Sequence, residues 1–324
     1  MWGVRTRLAT SRKLGAGAPL MVLMSVLVIA CSDSGDDAAP LPATSSPPNA
    51  TEQAYLDEVL EIDTLIGAVV VTVEAALEGS YATRGRLFTL IGEQDVYGTF
   101  ETMVERLDAV EVPTKYQADH QRYLESLNES VLLAEQLQPA IEARELVTFD
   151  VTTVELFVSR ARLLVEVSPS FCAGALRSDA VPGCPSPEAA PGGQYGADLR
   201  NVFRRFRADF GPRVGAFPPA MNSDEIFDEL NILQPPIIDA IEAATEEIHA
   251  LEPPSEFAED HAVIERYFED TLEVSISISE AAQDRDAAAQ ASEFGRSGDV
   301  QCEAALALSP EATEITQYFN DTLC

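Results

Sequence analysis

The sequence predicts an all-α fold made of two tandem, internally duplicated domains, each like a four-helix bundle. Apolar residues recur at spacings of three and four over long windows, which is the period of an amphipathic helix rather than of a strand. A segment rich in Pro and Gly at 177–195 divides the chain into two parts of similar length. A constant shift of 141 residues brings the two parts into register, and a register kept across several helices indicates duplication.

Each part is predicted to contain four main helices. In the first part the first main helix covers about 52–78, and the second begins after a break at 92–95 and ends near 110. The third and fourth cover 113–144 and 148–167, and a short helix is also predicted before the break, ending at residue 91. Prolines in the matched segment 233–236 predict a break there too, because Pro cannot continue the helical hydrogen-bond ladder. Helices of this length joined by short links are typical of an up-and-down bundle.

The duplication is most visible around the start of the third helix of each part. The segment 107–113 aligns with 248–254. With the same shift, the first helices align Leu65, Val69 and Val73 with Phe206, Phe210 and Val214, and the third helices align Tyr116, Asp119 and His120 with Phe257, Asp260 and His261.

The first thirty residues carry the pattern of an export signal. An apolar stretch at 20–29, too short to span a bilayer as a mature helix, follows four basic residues, Arg5, Arg7, Arg12 and Lys13. It ends in the run Val28-Ile29-Ala30-Cys31, which resembles the lipobox of bacterial lipoproteins. The resemblance implies lipid attachment at Cys31 and anchoring of the exported chain to a membrane of the bacterial cell envelope. The alternatives are an ordinary cleaved signal peptide and an uncleaved anchor, and the charged residues directly after Cys31 argue against the anchor.

These patterns give the predicted domain order. A lipoprotein signal peptide covers 1–30, an acidic and Pro-rich spacer 31–52, the first helical domain 53–176, the Pro/Gly linker 177–195 and the second helical domain 196–324. The spacer has almost no large apolar side chains, so it cannot bury enough surface to offset its ordering entropy. It is expected to hold the folded part away from the lipid surface.

Composition restricts the expected partners. The 324 residues include 54 Asp and Glu against 21 Lys and Arg, which gives a formal net charge of −33. Binding to nucleic acid needs Lys and Arg against phosphate, so no nucleic-acid partner is expected. The expected partners are the membrane, through the lipid anchor, and a protein or a small molecule.

Four cysteines remain after Cys31 is assigned to the lipid. An even number in an exported chain predicts two disulfides. The segment that begins at Cys172 resembles the one that begins at Cys302 once a gap shortens the second part, so each is expected to pair with the next cysteine along the chain. The predicted bonds are Cys172 with Cys184 and Cys302 with Cys324.

The most suggestive polar feature is the pair Asp119-His120, which the shift matches to Asp260-His261. Both histidines fall on the apolar stripe of the third helix, so each is expected to point into its bundle. One interpretation is a core histidine satisfied by a carbonyl or a carboxylate. The other is a site in which His120 and His261, with nearby carboxylates, bind a metal of unknown identity or a small ligand. No cofactor is predicted.

Basic residues cluster at Arg200, Arg204, Arg205 and Arg207, with Arg213 beyond them, in an otherwise acidic chain. One interpretation is that these arginines pair with acidic residues of the other domain and fix the geometry between domains. The alternative is a docking patch for an acidic partner or an anionic ligand.

The common catalytic motifs do not occur: the sequence has no GxSxG, HExxH, Walker A or EF-hand pattern. We therefore expect a lipid-anchored, extracytoplasmic helical protein with a binding, sensing or structural role and no catalysis. The main alternative is the metal- or ligand-binding bundle that uses His120 and His261. A third hypothesis is a hydrolase whose catalytic groups are two of the many carboxylates.

Overall fold

The computed structural model describes residues 48–77, 88, 92, 95–176, 184, 190–215 and 223–319. Over these residues the chain forms ten α-helices and two single 3-10 turns, and they contain no strand. The predicted all-α class is therefore confirmed. The predictions for residues 1–47, including lipid attachment at Cys31, and for Cys324 lie outside the described residues, as does most of the short helix predicted before residue 92.

The first half of the molecule contains five helices. They are α1 (Ala50–Leu77), α2 (Val96–Asp108), α3 (Gln117–Ala143), α4 (Leu146–Glu166) and α5 (Pro169–Ala175), with a 3-10 turn at Thr114–Tyr116 before α3. These bounds agree closely with the predicted main helices. The predicted third helix differs at its start, where the 3-10 turn follows Pro113 before α3 begins.

The second half has the same order of helices. They are α6 (Gly193–Gly215), α7 (Ser223–His249), α8 (Ala258–Gln283), α9 (Ala287–Ala307) and α10 (Pro310–Thr316), with a 3-10 turn at Ser255–Phe257 before α8. The bounds of α9 and α10 equal those of α4 and α5 after the shift of 141 residues. Helix α6 begins inside the segment 177–195 that the sequence assigned to a linker.

The break predicted at 233–236 is wrong, because α7 continues through Pro235 and Pro236. A helix loses one hydrogen bond at each internal proline. Here packing compensates, because Leu233 and Ile237 on either side of the prolines are fully buried in the core of the second half.

Helix α4 contributes to the cores of both halves. Its C-terminal residues Leu163 and Leu164 lie in the core formed with α1, α2, α3 and α5. Its middle residues Val154 and Val158 lie in the core formed with α6, α7 and α8. The two halves are therefore packed against each other along α4 and α6.

Polar contacts run along the seam between α4 and α6. The guanidinium of Arg213, which is 3% exposed, donates to Glu155 through Nε at 3.0 Å and through Nη2 at 2.8 Å. Arg162 pairs with Asp209 further along the seam. Buried bidentate pairs need correct geometry on both sides, so this contact fixes how the halves meet.

In each half an ion pair joins the first two helices, but the helix that carries the acidic partner in one half carries the basic partner in the other. In the first half, Arg106 on α2 donates to Glu58 at 2.8 Å and to Glu61 at 3.1 Å on α1. In the second half, Glu247 on α7 accepts from Arg205 on α6. Arg106 and Glu247 are 141 residues apart, so the same position carries opposite charges.

The predicted disulfide between Cys172 and Cys184 is confirmed, with a Cα–Cα distance of 5.5 Å. Cys302 is also disulfide-bonded, and its pairing with Cys324 stays a prediction. The alignment of Cys172 with Cys302 is wrong. Cys172 lies on α5, which the shift matches to α10, whereas Cys302 lies on α9. The register is set by the Ser-Pro pairs that start α5 and α10.

Candidate functional site

Each predicted core histidine is bonded to a tyrosine from the first helix of its own half. His120 Nδ1 lies 3.0 Å from Tyr55 Oη, and His261 Nδ1 lies 3.1 Å from Tyr195 Oη. The prediction that both side chains point inward is confirmed, since the histidines are 9% and 5% exposed. The partner at Nδ1 is a phenol in both halves, and only His261 also lies near a carboxylate of the kind that the sequence suggested, that of Glu265.

These pairs correct the register of the first helices. Tyr55 and Tyr195 are 140 residues apart, one fewer than the shift that aligns the third helices. The predicted alignment of Leu65 with Phe206 is therefore one residue off, and Ile66 corresponds to Phe206. The difference arises because the connection between the first and third helices need not have the same length in both halves.

Asp119 and Asp260 do not face the histidines that follow them. Asp119 accepts from the backbone N of Ser168 at 2.8 Å and from its Oγ at 2.6 Å. Asp260 accepts from Ser309 in the same way, at 2.8 and 2.7 Å. Consecutive helix residues are about 100° apart around the axis, so the carboxylate and the imidazole face different neighbours.

The two serines are the N-caps of the short helices. Ser168 Oγ accepts from the backbone N of Phe171, and Ser309 Oγ accepts from that of Ala312. Each Asp–Ser contact therefore attaches the third helix of a half to the start of its last helix. Charge-assisted hydrogen bonds of this kind are stronger than neutral ones.

Electrostatics keep both phenols protonated. Burial, followed by the charge of Asp119, raises the pKa of Tyr55. Burial, followed by the charges of Asp260 and Glu265, raises the pKa of Tyr195 to about 12. Burial lowers the pKa of His120, and the charge of Asp108 opposes this effect. A protonated Tyr55 and a neutral His120 fit a bond in which Tyr55 donates to Nδ1.

The second half carries one further carboxylate at this place. Glu265 Oε1 lies 3.3 Å from His261 Nε2, whereas the matched residue in the first half is Leu124. A continuous chain of polar contacts therefore runs from Glu265 through His261 to Tyr195. The carboxylate orients the imidazole, and the imidazole orients the phenol.

A surface cavity of about 450 Å³ lies beside Tyr195 at the start of α6. Two carboxylates, from Asp198 and Glu252, and the tyrosine ring belong to its lining, which contains no basic side chain. The full lining is Gly192, Gln194, Tyr195, Asp198, Ala250, Leu251, Glu252 and Pro254. Sequence reasoning missed this cavity because the linker was predicted to extend to residue 195. The three- and four-residue spacing of Tyr195, Leu199 and Val202 could have moved that boundary.

A separate buried ion pair occurs in the first half. The carboxylate of Asp63, which is 1% exposed, accepts from Tyr123 Oη at 2.9 Å and from Arg160 Nη2 at 2.8 Å. This cluster lies in the middle of the first core, away from the cavity. Buried charges paired in this way specify how helices meet rather than supply a free reactive group.

All four arginines of the predicted docking patch are bonded within the protein. Arg204 donates to the Leu164 carbonyl of the first half at 3.2 Å, and burial lowers its pKa. The other three bond within the second half: Arg205 to Glu247, Arg200 to the Ile315 carbonyl at 3.4 Å and Arg207 to the Gln317 carbonyl at 3.0 Å. The interpretation that arginines here fix the contact between domains fits Arg204 and Arg213, and the docking role stays a prediction.

Two further observations apply to the part of the chain that the structure describes. Its His, Cys, Asp and Glu residues form no group of three or more that could hold a metal ion. None of its helices combines the length and the apolar character needed to cross a membrane.

Comparisons with protein-family models, with curated proteins and with solved structures found no match to this chain.

Proposed function

We propose that this chain is an exported, lipid-anchored helical protein that acts by binding or structural display rather than by catalysis. The proposal rests on one observation: the polar groups that the two halves share are bonded to other parts of the protein itself. In each half a Tyr–His bond and an Asp–Ser bond connect helices of the same bundle.

These bonds give the shared residues a structural task. Both oxygens of Asp119 are engaged by Ser168, and Nδ1 of His120 is engaged by Tyr55. A catalytic base must be free to take a proton from a substrate within hydrogen-bond reach. Here the first helix is tied to the third, and the third helix is tied to the last short helix.

The packing of the halves supports display by a rigid body. Helix α4 contributes to both cores, and Arg213 is buried against Glu155. Helix α1 begins at Ala50, within the last three residues of the segment 31–52 that the sequence predicts to be a spacer. A lipid on Cys31 would then hold this body near a membrane through the spacer.

Lipid attachment is tested by metabolic labelling with a palmitate analogue in a bacterial host, followed by membrane fractionation. We expect the wild-type chain to be labelled and to sediment with membranes, and the Cys31→Ala variant to lose the label and the sedimentation. Ser32→Ala is the matched control and should keep both. An unlabelled wild-type chain, or a labelled Cys31→Ala variant, would refute the anchor.

The alternative function with geometric support is the binding of a small ligand. It differs from the sequence-based hypothesis because the ligand would not contact a histidine. The histidine itself lies behind the site, and Tyr195 connects it to the cavity. A ligand in that cavity would contact Tyr195, Asp198 and Glu252 rather than His261.

A further inference from the structure

We propose that acid locally opens the contact between α1 and α3 in the first half, while the matched contact between α6 and α8 in the second half stays closed. The two contacts are built alike, because Tyr55 and Tyr195 each bond a histidine of the third helix of their half. They differ in the charges placed around the imidazole. The start of α1 is therefore the acid-sensitive part of the fold.

Protonation of the imidazole changes the Tyr–His bond in both halves. A neutral imidazole accepts the phenol O–H at Nδ1, whereas the charged form carries a proton on both nitrogens and can only donate. The bond must then reverse, and a charge must be held inside a bundle, where His120 and His261 are buried. A buried charge is costly unless an opposite charge lies close to it.

The second half supplies that opposite charge. Glu265 Oε1 lies 3.3 Å from His261 Nε2, and Glu256 in the 3-10 turn before α8 adds a second carboxylate on this side. From α7, the exposed His249 can add a positive charge at low pH, but its Nε2 lies 3.6 Å from Glu269, whose carboxylate offsets it. His261 can therefore take up a proton while α6 and α8 stay in contact.

Neither glutamate beside His261 has a counterpart in the first half, where Leu124 and Lys115 occupy the matched positions. Lys115 Nζ lies 5.0 Å from the centre of the Tyr116 ring, and that ring stacks on the ring of Tyr55 with the centroids 5.7 Å apart. An imidazolium in the first half would therefore have a leucine and a lysine at the positions where the second half has two carboxylates.

One negative charge from α2 acts on His120, and it does not compensate. The charge of Asp108 favours the imidazolium, but Asp108 is exposed to solvent, and burial outweighs it, so that the pKa of His120 is lowered. His120 therefore stays neutral while α1 is in contact and takes up a proton once α1 moves away. A group that is protonated only in the open state favours opening as the pH falls.

The aspartates next to the two histidines do not favour opening of the second half over the first. Asp119 and Asp260 each accept from the N-cap serine of the last short helix, so α5 and α10 present the same group in both halves. Arg122 Nη1 lies 3.5 Å from Asp119, whereas the matched residue in the second half is Val263. This additional positive charge also opposes protonation of His120.

Hydrogen exchange of the full chain, read by mass spectrometry at about pH 7.5 and about pH 5, tests the proposal. Peptides covering 56–66 in α1 and 196–206 in α6 occupy matched positions in the 140-residue register. Labelling times are scaled to the intrinsic exchange rate at each pH. We expect the opening constant of 56–66 to rise at least about fivefold in acid, below the ceiling of about 30-fold for one site with a pKa of about 6.5 in the open state. That of 196–206 should change less than about twofold.

Two matched variants exchange the carboxylate between the halves. Leu124→Glu should reduce the acid response of 56–66 to less than about twofold, and Glu265→Leu should give 196–206 a response of at least about threefold. His120→Asn removes the titrating group and should abolish the response of 56–66. Each response is a ratio of two pH values within one variant, so a uniform loss of stability does not imitate it. Circular dichroism at the higher pH checks the fold of every variant.

An equal acid response of the two peptides in the wild type would overturn the proposal. An undiminished response of 56–66 in His120→Asn or in Leu124→Glu would do the same, and these two variants decide the matter even if Glu265→Leu does not fold. An unchanged response of 196–206 in a folded Glu265→Leu variant would also contradict it. The measurement does not depend on a lipid at Cys31, so failure here is distinguishable from failure of the proposed anchor.

Discussion

Asp119 and His120 are neighbours in the sequence, yet they join different parts of the fold. The carboxylate is bonded to Ser168 and the imidazole to Tyr55. The helical period predicted that the histidine is buried. It could not predict either partner, because both lie on other helices, 49 and 65 residues away, and hydrogen bonding over such distances leaves no local pattern.

The buried imidazole makes stability depend on pH. Burial lowers the pKa of His120 below its ordinary value of about 6.5. As the pH falls through about 6.5, the unfolded chain takes up a proton before the folded chain does, so the contribution of His120 to stability decreases. We expect the stability advantage of the wild type over His120→Asn to shrink between about pH 7.5 and 5, by at most about 1.4 kcal/mol per pH unit.

Urea unfolding followed by circular dichroism at several pH values measures this difference. His249→Asn is the matched control, because His249 lies on the exposed side of α7 with 45% of its side chain accessible. This control should change the pH dependence less than His120→Asn does. A constant gap between the wild type and His120→Asn across the range would contradict the argument.

At the scale of elements, the start of α6 shows where composition misleads. Gly192 and Gly193 were assigned to a linker because paired glycines favour irregular backbone. In the structure both have positive φ, +76° and +61°, and they lead directly into α6. A β-carbon at Gly192 would lie 2.9 Å from Phe257 Cε2, so this turn also packs closely on the core of the second half.

Alanine substitutions separate backbone conformation from packing. Gly193→Ala meets no neighbouring atom but requires positive φ, so it should lower the free energy of unfolding by about 1–2 kcal/mol. Gly192→Ala should cost more, because the contact with Phe257 adds to the same conformational cost. Gly295→Ala, in open space on α9, should stabilise by about 0.5–1 kcal/mol. Urea unfolding measures the free energy of unfolding of all three variants. Equal losses at Gly192 and Gly193 would contradict the additional packing cost expected at Gly192.

For the whole molecule, sequence periodicity predicted the helices better than it predicted their assembly. The helical class and the main helices α1 to α4 followed from the spacing of apolar residues. The role of α4 in both cores did not follow, because Val154 and Leu163 both read as ordinary apolar positions of one helix. The seam depends on which side chains meet across it, and a single sequence does not encode that pairing locally.

The seam should couple the unfolding of the two halves. Arg213→Met removes two charge-assisted hydrogen bonds to Glu155, whose own side chain is partly exposed, and should cost about 1.5–3 kcal/mol. Arg285→Met is the control, because Arg285 bonds Asp224 and Asp228 at the exposed surface and should cost less than about 1 kcal/mol.

Hydrogen exchange read by mass spectrometry reports each half separately. In the wild type, core amides of α3 and α8 should exchange with similar opening free energies, because the halves unfold together. In Arg213→Met the two values should diverge. Equal values in both proteins, or a similar divergence in Arg285→Met, would show that the buried pair does not couple the halves.

The reversed ion pairs between the first two helices have a consequence for folding. Two halves with similar apolar stripes on one chain can exchange helices, an error typical of tandem domains. If α1 docked on α7, Glu58 and Glu61 would meet Glu247. That wrong combination sets like charges against each other, whereas each correct one sets opposite charges together. A pair that adds little to stability at an exposed surface therefore lets α1 discriminate between its own half and the neighbouring one.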